Sequence, residues 1–139
     1  MKRIFLLPDC AAVSLLMLLV CTCASGPVNI PEDLSPAEII QRAQEASDRN
    51  RYNVALQHYQ ALLERYPSNI DLVCTAEYEI AFIHYKQKNY SRAKNGFNAL
   101  LERYESPDAH NLPQEFKILA NIVLGRIEEI ENIRPFGTK

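Results

Sequence analysis

The chain has 139 residues, 47% hydrophobic and 23% charged, the proportions of one folded domain rather than of a disordered segment. Lys and Arg number 15 against 17 Asp and Glu, a formal net charge of −2 that lacks the basic excess a phosphate backbone demands, so nucleic acid is excluded as an expected partner. Only four residues are Gly, which leaves no glycine-rich phosphate cradle, and Cys74 is the lone cysteine beyond residue 23, which excludes an internal disulfide from the rest of the chain.

At the N-terminus Lys2 and Arg3 precede an apolar run from Ala11 to Val20, and Cys21-Thr22-Cys23-Ala24-Ser25-Gly26 follows. Charge, short apolar core and small residues, in that order, are the layout of a secretory signal peptide. The core is too short to span a bilayer comfortably. Extending it back to Ile4 takes in Pro8 and Asp9, and a charge inside the membrane costs several kcal/mol. The cysteines after the core resemble a bacterial lipobox, which implies cleavage just before a Cys that then carries the lipid. Cys23 follows the small Thr22 and is the expected lipid attachment site; Cys21, after Val20, is the alternative. An ordinary signal peptide cut near Ala24, giving a soluble periplasmic product, stays open.

Residues 24–34 carry Gly26, Pro27 and Pro31 without helical periodicity and read as a tether. Fully extended, such a segment reaches about 35–40 Å at most, which would keep the following domain near the membrane surface. Ser35-Pro36-Ala37-Glu38 is a capping box with Pro at the first helical position, and opens a helix bearing Ile39, Ile40, Ala43 and Ala46. Asp48 to Arg51 turns into a second helix, whose stripe is Tyr52, Ala55, Leu56, Tyr59, Leu62, Leu63 and Tyr66, and which Pro67 stops. A third helix is predicted from about Asp71 to Gln87, and Lys88-Asn89 turns into a fourth with Tyr90, Ala93, Phe97, Leu100, Leu101 and Tyr104 on one stripe. Ser106-Pro107-Asp108 breaks the pattern, and a last helix runs from Pro113 to about Ile133. Its predicted inner stripe is Phe116, Leu119, Val123, Ile127 and Ile130, with Ile118 and Ile122 beside it.

The most informative feature is a self-match. Ala61-Leu62-Leu63-Glu64-Arg65-Tyr66 recurs unchanged as Ala99-Leu100-Leu101-Glu102-Arg103-Tyr104, an offset of 38 that also carries Tyr52 onto Tyr90, Ala55 onto Ala93 and Tyr59 onto Phe97. Matches at one fixed offset mark stacked supersecondary units. The residues resemble the tetratricopeptide-repeat (TPR) family. Its places are held by Ile39, Arg42, Ala43, Ala46, Ala55, Tyr59 and Pro67 in the first unit, and by Glu77, Ile80, Ala81, His84, Ala93, Phe97 and Glu105 in the second. The second helix of each unit matches well. The first helix is divergent, and Pro67 has no counterpart at Glu105. The resemblance covers about residues 35–105, and the long spacing is similar to TPR variants of Gram-negative envelope proteins of the outer-membrane-assembly lipoprotein and Tol-Pal coordinator type.

The expected fold is therefore all-α: a short TPR superhelix of two helix-turn-helix repeats with a C-terminal capping helix. Its segments are 1–22 (signal peptide of the lipoprotein type), 23–34 (tether), 35–111 (two TPR units) and 112–139 (capping helix and tail). The resemblance implies that the first helix of each unit lines a concave groove. On the third helix Tyr78, Phe82 and Tyr85 form a stripe that the family pattern turns toward that groove, with Glu79 and Lys86 beside it. Aromatics there suit capture of an extended or helical peptide; packing against neighbouring helices is the equal alternative. His58, His84, His110 and Cys74 lack zinc-ligand spacing, and no nucleophile motif appears, so neither cofactor, metal nor catalysis is expected. The expected function is a lipid-anchored scaffold facing the periplasm from the inner or outer membrane. It would bind another envelope protein or peptide, in outer-membrane protein assembly or envelope maintenance. A self-associating subunit, a homo-oligomer, and a ligand-binding accessory of a transporter are the alternatives.

Overall fold

The computed structural model describes residues 26–133, so the expectations for the signal peptide and for lipid on Cys23 or Cys21 lie outside the described residues. Five helices follow one another: α1 (Pro36–Asp48), α2 (Tyr52–Arg65), α3 (Ile70–Lys86), α4 (Tyr90–Glu102) and α5 (Gln114–Ile133). Among the described residues there is no strand. The all-α architecture of two helical hairpins and a capping helix is as the sequence predicts.

Local chemistry sets the ends. The Glu38 N–H donates to Ser35 Oγ and the Ser35 N–H donates to Glu38 Oε2 at 2.9 Å, closing the capping box on α1. Asparagines cap α3 and α4: Asn69 Oδ1 accepts from the Leu72 N–H at 3.2 Å, and Asn89 Oδ1 from the Arg92 N–H at 3.3 Å. The turns inside the two hairpins are copies of one another. Asn50 and Lys88 both take the left-handed conformation, with φ of 56° and 60°. Behind them the Arg51 N–H reaches Ala46 O at 2.8 Å, and the Asn89 N–H reaches His84 O at 2.9 Å. These bonds, with the shorter ones from Asn50 to Ser47 and Lys88 to Tyr85, satisfy the orphan carbonyls at each helix end. Where the second unit has Glu105 in place of a proline, α4 tightens into a 3₁₀ turn, Arg103–Glu105, and a second such turn, Ala109–Asn111, leads to α5. The Tyr104 hydroxyl donates to Pro113 O at 2.6 Å and ties this connection down.

α1 packs along α2, and α3 along α4; α2 also meets α3, and α5 meets both α3 and α4. The first helices of the units, α1 and α3, thus share one layer with α5, while α2 and α4 form the other. Two buried clusters result. Ile39, Ala43, Ala55, Tyr59 and Leu62 join Ala76 and Ile83 of α3. Cys74, Tyr78 and Ala81 of α3 join Ala93, Phe97, Leu100, Ala120, Val123 and Ile127. α3 feeds both clusters and is accordingly apolar nearly all round. Of the α3 residues at the family's places, Ala81 is fully buried, Ile80 and His84 are half-buried, and the neighbouring Ile83 is fully buried.

α5 corrects the predicted stripe. Its buried line is Ala120, Val123 and Ile127, with Phe116 and Leu124 partly covered, whereas Leu119 is 40% exposed. The alternation of large apolar residues at 118, 119, 122 and 123 left two registers open. The helix docks where small Ala120 allows the closest approach to α3 and α4.

Part of the segment read as a tether lies on the domain. Both Nη atoms of Arg65 donate to the consecutive carbonyls of Ile30 and Pro31, at 2.7 and 2.8 Å, and the Val28 N–H donates to Gln57 Oε1 at 2.7 Å. Leu34 is buried in the first cluster and Ile30 packs against it.

The α3 and α4 backbones approach closely at Gly96, where an added Cβ would come 2.9 Å from Ala81 Cβ. Ala81 cannot swing away, so the neighbouring backbones must part. We therefore expect Gly96→Ala to destabilise the protein by about 1–3 kcal/mol. This outweighs the ~1 kcal/mol that alanine gains over glycine in a helix. A urea melt checks it, and an unchanged or raised midpoint would contradict the contact.

Candidate functional site

A run of aromatic rings extends along α3 and reaches the start of α4. Tyr78 stacks on Phe82 with centroids 5.8 Å apart, Phe82 on Tyr85 at 5.8 Å, and Tyr85 meets Tyr90 at 6.0 Å. The i, i+4, i+7 spacing on α3 brings the first three rings together. The run is graded in burial. Tyr78 is only 8% exposed, wedged between Phe97 at 5.6 Å and Phe116 at 5.5 Å, and serves the core. Phe82 and Tyr85 are half-buried and keep part of their surface open. The structure thus divides the predicted stripe between packing and surface.

Glu79 and Lys86 stand beside the rings, as part of a notch of about 260 Å³ between α1 and α3 lined by Gln44, Ser47, Asp48, Glu79, Phe82 and Lys86. The Lys86 ammonium donates to Ser47 Oγ at 3.0 Å and lies over the Phe82 ring, 5.5 Å from its centroid. Glu79 is half-buried, and desolvation raises its pKa above the ordinary 4.5; Lys86 acts against this rise and Asp48 adds to it. Gln44, Ser47 and Asp48 were not singled out from sequence. Their signal was the 38-residue offset, which carries them onto Phe82, Tyr85 and Lys86.

The remaining chemistry-bearing residues are dispersed. Cys74 is fully buried and its thiol is pushed up chiefly by that burial, which disfavours the nucleophilic thiolate. His58 is buried, with Nδ1 2.9 Å from Val54 O, while His84 Nδ1 lies near Gln87 Oε1. No group of three or more His, Cys, Asp or Glu gathers among the described residues. Away from the notch, the outer side of α5 exposes Ile118 and Ile122 at 61% and 47%.

Comparison with known proteins bears on this arrangement. Residues 75–106 match the tetratricopeptide repeat, a span that takes in most of α3, all of α4 and the turn after it. The α3–α4 hairpin is therefore similar to a TPR unit, and the match supports a TPR protein over that span. A protein of Treponema pallidum (strain Nichols), described as an uncharacterized protein, is 36% identical over 119 residues, which cover 84% of this chain and 48% of that protein. The chain thus spans about half the length of this curated relative. No solved structure gives a significant match.

The raised pKa of Glu79 has a consequence for stability. A folded-state pKa above the unfolded value means that protonation stabilises the fold. That contribution is present below the unfolded value of about 4.5 and is lost as pH rises through the raised value. Glu79→Gln, which imitates the protonated form, is therefore expected to melt higher than the parent at neutral pH. The gain should shrink as pH falls below the ordinary carboxylate range. Thermal melts of the two proteins across that range test the assignment.

Proposed function

We propose that this protein is a membrane-tethered TPR scaffold of the cell envelope, which holds a segment of another envelope protein along the face formed by α1, α3 and α5. The observation that carries the reading is the half-open aromatic pair Phe82 and Tyr85, stacked on each other, with Phe82 also stacked on the buried Tyr78, on the first helix of the unit similar to a TPR. Large rings whose motion is already restricted lose little entropy on binding and supply much contact area, as expected of a hot spot. The lipid anchor is supported by the order of charge, apolar run and cysteines at residues 2–23. Because Val28, Ile30 and Pro31 are bound to α2, the length left between Cys23 and the domain is about four residues, a reach of roughly 14 Å. An anchored domain would lie close against its membrane rather than on a long leash. Outer-membrane protein assembly and envelope maintenance are the settings in which such a scaffold fits. A self-associating subunit is the second reading, favoured by the exposed Ile118, Leu119 and Ile122 of α5. Concentration-dependent sedimentation tests it.

Two outcomes are expected. Mass spectrometry of the mature chain should find a lipid on Cys23; an unmodified N-terminus at Ser25 or later would remove the anchor, and a lipid on Cys21 would move it. Phe82→Ala should cost less stability than truncation of the fully buried Ile83, for which ~2–5 kcal/mol is expected, while it weakens recovery of partners from crosslinked membranes. Equal destabilisation by the two changes, with undiminished recovery, would assign Phe82 to the core alone.

A further inference from the structure

Among the described residues, one buried side-chain polar atom has no hydrogen-bond partner. Tyr59 is fully buried in the first cluster, and its hydroxyl makes no hydrogen bond. Leaving such a group unsatisfied costs about 1–3 kcal/mol. Packing does not require it, because the equivalent place in the second unit is filled by Phe97, equally buried and without a hydroxyl. Burial raises the pKa of the hydroxyl, and the field of two carboxylates, Glu79 and then Asp48, adds to the rise. Those are the two acids that line the notch between α1 and α3. Neither makes an ion pair among the described residues. The one cation of the notch, Lys86, is engaged with Ser47 and the Phe82 ring instead. The notch therefore gathers two carboxylates without an ion-pair partner and an aromatic ring under an ammonium, and the unpartnered Tyr59 hydroxyl is buried behind it, in the field of both acids.

We propose that this notch is a subsite for a cationic side chain, arginine or lysine, of a polypeptide lying along α1 and α3. The inference rests on the scaffold reading above and names the chemistry its partner must carry. The incoming charge is compensated by Asp48 and Glu79, and its apolar stem or guanidinium plane lies on Phe82. The Tyr59 hydroxyl donates to the Glu79 carboxylate as that group turns to meet the cation, so the orphan is satisfied only when the notch is filled. A polypeptide is favoured over a free amine because Phe82, which lines the notch, stacks on the half-exposed Tyr85, and this pair offers surface to the neighbours of the anchoring residue.

The test selects peptides from a phage-displayed random library on the full chain in mild detergent. Selected peptides are expected to carry a basic residue next to an apolar one. Replacing that residue by citrulline, which has the shape of arginine without its charge, should weaken binding about tenfold. Glu79→Gln and Asp48→Asn should weaken the charged peptide similarly and leave the citrulline peptide unaffected. Tyr59→Phe should weaken it too while raising the melting temperature, as relief of an orphan hydroxyl predicts. Peptides enriched in apolar residues alone, sensitive to Phe82→Ala but indifferent to Glu79→Gln, would overturn the cationic subsite and leave the scaffold reading standing. Failure to select any peptide would overturn both. In a parallel arm agmatine, a free guanidinium compound, should shift the NMR signals of Phe82 only weakly; saturation comparable to the best peptide would assign the notch to a small amine instead.

Discussion

The structure depends on how closely paired helices can approach. At Ala81 and Gly96 the α3 and α4 backbones come so near that a single added methyl would meet another at 2.9 Å. Ala43 and Ala55 are likewise fully buried where α1 and α2 pair, with His58 standing in the place of Gly96. Close pairing makes each hairpin a thin, rigid unit, and it leaves the first helix of each unit with a free side. Stacking two units and α5 then puts those free sides in one layer. The groove is a by-product of this arrangement: the face left over once the hairpins have buried what they can.

That leftover face explains the mixed character of α3. It must supply both hydrophobic clusters, so its burial is nearly continuous around the helix, yet one strip of it still meets solvent. The aromatic stripe crosses from one environment to the other. Tyr78 is held by Phe97 and Phe116, Phe82 leans on Tyr78, and Tyr85 leans on Phe82, the last two keeping an open edge. A ring supported from below is a better contact than a free one, because little motion is left to lose on binding.

The unequal treatment of two equivalent places points in the same direction. A repeat built only for packing would fill the positions of Tyr59 and Phe97 alike. Here one carries a hydroxyl with no partner, beside a carboxylate whose pKa is raised by burial. Both features cost stability, and groups kept at such a cost are what the proposed subsite would use.

Much of the fold was legible in the chain because it rests on local chemistry and on repetition. The Ser35 capping box, the break at Pro67 and the hexapeptide repeated at an offset of 38 are properties of neighbouring residues, and they set helix ends and helix order without reference to distant contacts. The candidate site was legible only in part. Phe82, Tyr85, Glu79 and Lys86 stood out by their spacing on α3, but Ser47 and Asp48 are unremarkable polar residues at the end of α1 until the stack brings them within reach of Lys86. Tertiary packing alone decided that Tyr78 goes inside, that α5 docks on Ala120 rather than Leu119, and that residues 28–34 lie along α2. The physical reason is common to all three. Periodicity says which residues share a face, whereas the choice between two apolar faces, or between a free strand and a bound one, is made by the shape of the surface that receives it.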